Sequence, residues 1–182
     1  RVATMVSSRG CPHFCSFCLV PNIKYRKRSV GSVLSEIDQC LKMGFEEIYF
    51  VDDTFNSDIN WLKDFISQIK KRSILWSCRA RVDGLNDDLV KEMKSSNCIR
   101  IHFGVETSTD EGLNILGKDT TIDTIKIVFS SCRKHRIETV GYFLIGSPVE
   151  KTKQDILKTM DFAVRLNPSY AMFNILTVYP NT

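Results

Sequence analysis

Six short apolar runs alternate with stretches whose apolar residues recur every three or four positions, and that alternation leaves few folds open. The runs lie at 2–7, 47–51, 75–79, 99–105, 139–145 and 171–178. Between them, Val30, Val33, Leu34, Ile37 and Leu41 repeat at helical spacing, as do Ile59, Leu62, Phe65, Ile66 and Ile69. Asn86 caps a short helix reaching Lys94, and another falls near 110–116. Ile122, Ile125, Val128, Phe129 and Cys132 mark a longer one, and Ile156, Leu157, Met160, Ala163 and Val164 mark the last. Strand and helix taken in turn predict an α/β fold on a parallel sheet with right-handed crossovers. A curled barrel and a flat doubly wound sheet both satisfy the pattern. Neither a GxGxxG turn nor a P-loop is present to favour the flat one. In either case the polar turns that follow the strands gather at one edge, where such folds place their sites.

One of those turns carries Cys11, Cys15 and Cys18, spaced C-x3-C-x2-C directly after the first run. Three thiolates this close fit one face of an iron–sulfur cluster and leave one iron without a protein ligand. An open iron can bind a substrate or cofactor, so the spacing points to catalysis rather than to simple electron carriage. A closed zinc site would need a fourth ligand, and His13, two residues from Cys11 and Cys15, does not sit at a common zinc spacing.

The rest of the composition is ordinary. Apolar residues at 43% and charged residues at 25% describe a soluble globular domain. No apolar run approaches the ~20 residues that cross a bilayer, and no secretory signal is present. The chain starts at Arg1 rather than Met and stops at Tyr179-Pro180-Asn181-Thr182, so residues 1–182 read as one domain of a longer protein. Cys40, Cys78, Cys98 and Cys132 stand singly in predicted elements, as small buried hydrophobes do, and a reducing cytoplasm is expected. The net charge of +4 is mild. Its only dense basic patch, Lys24-Tyr25-Arg26-Lys27-Arg28, is a solvated loop or a contact for an anionic ligand or RNA.

The cysteine loop, placed after the first strand of such a series, resembles the radical S-adenosylmethionine (SAM) superfamily. Phe17, just before the third cysteine, is the aromatic commonly found there. Phe50-Val51-Asp52-Asp53-Thr54-Phe55, Gly104-Val105-Glu106-Thr107-Ser108 and Gly146-Ser147-Pro148-Val149-Glu150 resemble the strand-end motifs of its cobalamin-binding subgroup. Thr177-Val178-Tyr179-Pro180-Asn181-Thr182 is similar to that subgroup's terminal Pro-Gly-Thr run. There are departures. Asp52, Asp53 and Thr54 stand where many members have Gly-Gly-Glu, and Val149 and Asn181 each replace a glycine.

The resemblance implies a partial (β/α)6 barrel of the TIM type and a 4Fe-4S cluster held by Cys11, Cys15 and Cys18. SAM would bind the open iron, and cobalamin would sit on a domain outside this chain. It implies cofactor contacts from Phe17, near the adenine, and from Asp52 or Asp53. Glu106 would meet the ribose hydroxyls or the SAM amine, and Lys118 the SAM carboxylate. Arg79 and Arg81 share a strand face and can both reach the site. His13, His102 and His135 show no ligand pattern and read as structural. The function expected is reductive SAM cleavage that starts radical chemistry, in a cobalamin-dependent methyltransferase, cyclase or other radical transferase. Its substrate would be a small molecule or peptide, and flavodoxin or ferredoxin its reductant. A tRNA methylthiotransferase-like enzyme is the rival within the superfamily. A non-catalytic iron–sulfur electron-transfer protein is the rival outside it.

Overall fold

In the computed structural model, residues 1–20 and 23–178 are described. Six strands form one parallel sheet: β1 (Val2–Met5), β4 (Glu47–Phe50), β5 (Leu75–Ala80), β6 (Cys98–Glu106), β7 (Glu138–Ile145) and β8 (Tyr170–Ile175). They stand side by side in chain order, β1-β4-β5-β6-β7-β8. A doubly wound sheet reverses its strand order at a switch point; this one never does, so its right-handed crossovers put every helix on one face. The result is the incomplete barrel of the sequence-based expectation.

The helices are α1 (Val30–Lys42), α2 (Ile59–Ile69), α3 (Asp87–Ser95), α4 (Asp110–Ile115), α5 (Ile122–Lys134) and α6 (Lys153–Leu166). Each begins behind a short polar side chain that accepts a backbone N–H of the first turn: Ser29, Asp58, Asn86, Thr109, Thr121 and Thr152. Ile48, Phe50, Trp76, Cys78, Ile101 and Phe103 point from the sheet to the helices and are fully buried. Phe50, Phe55, Phe65 and Trp76 interlock there with ring centroids 4.5–6.3 Å apart. Alternation sends Tyr49, Arg79, Arg100 and His102 to the opposite, concave face.

Two strand ends differ from the sequence reading by more than a residue. The first strand stops at Met5, because Ser8–Arg9 (β2) turns away to pair antiparallel with Arg26–Lys27 (β3). The basic run is therefore half strand, and two of its cations are neutralised, Lys27 by Asp58 and Arg28 by Glu36. The last strand ends at Ile175, and Tyr179–Thr182 of the terminal motif lie outside the described residues.

Candidate active site

The β2–β3 hairpin closes the base of the cysteine loop. Gly10 makes that closure possible: at φ +80°, a Cβ there would stand 2.4 Å from the carbonyl oxygen of Ile23. On the far side, Ser16 N–H donates to Leu116 O at 3.0 Å, so the turn after α4 holds the loop's outer limb. Cys11, Cys15, Cys18 and Phe17 then line a single cavity at the C-terminal edge of the sheet, with about 760 Å³ of empty space including its mouth.

Asp52 and Asp53, adjacent at the end of β4, separate. The Asp52 carboxylate is 1% exposed and accepts from four donors, the backbone N–H and hydroxyl of Ser7 and of Ser8, at 2.5–3.1 Å. This departs from the expected cofactor contact: Asp52 is turned away from the cavity and ties the start of the cysteine loop to the neighbouring strand. Asp53 lines the cavity, exposed, and no partner binds its carboxylate among the described residues. Thr54 lies beside them, its hydroxyl 3.2 Å from Cys11 Sγ.

Glu106 and Lys118 also line the cavity, but they meet each other. Lys118 Nζ donates to Glu106 Oε1 at 3.0 Å and to Gly104 O, with the two residues only 7–8% exposed. A register shift between Gly104 and Glu106 brings the carboxylate round, and Glu106 sits at φ +70°. Bulges and positive φ in a bulky residue are costly and cluster at functional sites. Gly104 leaves the space the pair fills, since a Cβ there would lie 2.2 Å from Glu106 Oε1.

Arg81 Nη1 approaches Cys15 Sγ at 3.6 Å and its guanidinium pairs with Asp83. Burial pushes the Cys15 thiol up, while Lys118 and Arg81 pull it back; burial also raises Cys18, opposed by a backbone hydrogen bond from Val20. Two cations thus favour the thiolate that a metal ligand must be. Among the described residues no three acidic, imidazole or thiol groups gather tightly enough for one metal ion. A cluster takes one thiolate per iron, and a cysteine trio spread around one cavity fits that demand.

One strand layer deeper, Arg79, His102 and Tyr142 complete the lining. His102 Nδ1 is 3.1 Å from the Tyr142 hydroxyl. Burial, with Arg100 and Arg79 near it, lowers the His102 pKa to about 4. The sequence reading treated His102 as structural and passed over Tyr142 and Thr54. The signal for His102 was its parity with Arg100 and Gly104 on β6, opposite Ile101, Phe103 and Val105. His135 caps the C-terminus of α5 and bonds Asp87.

A profile of the radical SAM superfamily matches residues 5–163. The chain belongs to that superfamily. Its cofactors are a 4Fe-4S cluster and SAM. The chain is 34% identical, over 98% of its length, to an uncharacterized methyltransferase of Pyrococcus horikoshii, of which it spans 40%. It is 24% identical, over its whole length, to the bacteriochlorophyllide d C-12(1)-methyltransferase of Chlorobaculum tepidum, spanning 41% of that protein. Its fold matches the radical SAM methyltransferase TsrM of Kitasatospora setae, solved with cobalamin and a [4Fe-4S] cluster, at a TM-score of 0.90 and 20% identity. All of this chain and 38% of TsrM are superposed. The chain therefore spans about two fifths of the curated relatives it matches. No helix among the described residues is long and apolar enough to cross a membrane.

Proposed function

We propose that this chain is the radical SAM core of a longer cobalamin-dependent methyltransferase or related radical transferase, which cleaves SAM reductively to act on a small-molecule or peptide substrate. One observation carries the reading. The cysteine trio, an unpartnered carboxylate and a buried ion pair line the same cavity at the C-terminal edge of the sheet. The methyltransferase relatives and the cobalamin bound by TsrM support the finer assignment.

A 4Fe-4S cluster held here would supply the single electron that reductive cleavage of SAM requires. This chain's own residues prepare that event. Cys11, Cys15 and Cys18 would hold three of its irons, and Arg81 favours the thiolate of Cys15. Asp53, whose carboxylate has no partner among the described residues, would accept the ammonium of SAM. Glu106 accepts from ribose hydroxyls while Lys118 balances its charge. Phe17 covers the adenine, and the concave sheet face keeps water from the reacting atoms. An acidic electron-donor protein such as flavodoxin or ferredoxin supplies the electron.

Anaerobic reconstitution, dithionite reduction and chromatography test this. The expected product is 5′-deoxyadenosine, formed slowly without substrate. A cluster-loaded protein that neither makes it nor changes its electron paramagnetic spectrum on adding SAM would be an electron carrier instead.

A further inference from the structure

The cavity is wider in chemistry than the SAM site needs. Its other cations are already matched: Lys118 by Glu106 and Arg81 by Asp83. Below them on the concave face, Arg100 is matched by Glu138. Arg79 has no carboxylate partner among the described residues. Its Nε donates to the Tyr49 hydroxyl at 3.0 Å, and its guanidinium lies 5.8 Å from the centroid of that ring. Those contacts aim the group and leave both Nη nitrogens for a ligand. Two parallel N–H groups on one edge are the fork that takes a carboxylate in bidentate fashion.

Beside that fork stands an aromatic wall. Tyr49 and His102 have ring centroids 5.0 Å apart and tilted by 31°, and His102 and Tyr142 follow at 6.0 Å and 26°. The low His102 pKa keeps the imidazole neutral, so the wall presents uncharged ring surface rather than a second cation. Arg79 lies inside the end of β5, two residues before Arg81, which follows the strand, and so about 6.6 Å deeper along extended chain. Arg81 is the arginine that touches Cys15, so the fork and wall form a layer beneath the cysteine rim.

We propose that Arg79, with His102 and Tyr142, is the substrate subsite of this core, and that it takes a flat conjugated ring bearing a carboxylate. The carboxylate docks on the Arg79 fork and the ring lies along the His102–Tyr142 wall, one layer from the SAM groups. The inference rests on the radical SAM reading and adds the substrate class to it.

The probes are 2-naphthoate and its neutral analogue 2-naphthamide. Each is titrated calorimetrically into the cluster-loaded full-length protein with SAM present. The naphthoate should bind about ten- to a hundredfold more tightly, as a charge-assisted bidentate bond to the Arg79 fork predicts. Arg79→Gln should erase that preference and leave the naphthamide affinity in place. Arg79→Lys should restore part of it, and Tyr142→Leu should weaken both probes alike. Three results overturn the inference: no binding of either probe, equal affinities in the wild type, or a preference that survives Arg79→Gln. A loss of SAM affinity in Arg79→Gln would also overturn it, by moving the fork into the SAM site. Failure of the radical reading looks different, since the wild type would then make no 5′-deoxyadenosine.

Discussion

Two acidic residues of the site work by opposite means. Glu106 is in the cavity with its Oε1 held by Lys118; Asp52 is out of the cavity and holds its scaffold. Removing Glu106 leaves the Lys118 ammonium buried without its carboxylate, a loss of about 3–5 kcal/mol in comparable buried pairs. Glu106→Ala should therefore lower the melting temperature and weaken SAM about ten- to a hundredfold. The double change Glu106→Gln with Lys118→Met removes both charges, and should recover the melting temperature without recovering SAM affinity. Calorimetry separates the outcomes: unaltered SAM binding in both variants would make the pair purely structural. Asp52→Ala strands the N–H groups of Ser7 and Ser8, at about 1–3 kcal/mol for each buried donor left unmade. Its expected signature is a reduced iron content per chain together with a lowered melting temperature. Full iron loading at a lowered melting temperature would show that Asp52 stabilises the fold without shaping the loop. The sequence placed both aspartates at the sheet edge but could not divide their roles. Adjacent residues leave a strand on opposite sides, and the donors to Asp52 come from Ser7 and Ser8, brought beside it only by the register of β1 on β4.

β6 contributes more to the site than any other strand, and it does so through its alternation and its bulge. His102 shows the cost of burying an imidazole, with Arg100 and Arg79 nearby. Its folded pKa of about 4 lies below the unfolded value of 6.5. As pH falls through that window the unfolded chain takes up a proton that the folded protein refuses. Stability should therefore drop between about pH 6.5 and pH 4, and be indifferent to this group above it. Melting temperatures measured across that range should fall less steeply in His102→Gln than in the wild type, and matching slopes would discount the effect. The main strands and helices were legible because caps such as Asn86 and apolar spacing such as Ile59-Leu62-Phe65-Ile66-Ile69 are local signals. The β2–β3 pair was not. Two residues on each side carry no periodicity, and the hairpin forms across an intervening loop, where Arg9 meets Arg26.

For the molecule as a whole, the fold and the cysteine loop were readable because each rests on short-range pattern, whereas the Glu106–Lys118 pairing and the Arg79 wall are made by sheet register. Iron and sulfide analysis tests the loop directly. The wild type should hold about four of each per chain after anaerobic reconstitution, and a variant with alanine at Cys11, Cys15 and Cys18 close to none. A full complement in that variant would move the cluster elsewhere. The strand order has a further consequence. A closed barrel cannot finish until its first strand finds its last, but among the described residues β1 and β8 are both edges. Every strand meets its neighbour among residues made just before or just after it, Val2 beside Glu47 and Val140 beside Tyr170. The sheet can thus be laid down in the order of translation, as domains begin to form during synthesis. The cysteine loop would already be seated on β1 and β4 while β8 is still inside the ribosome.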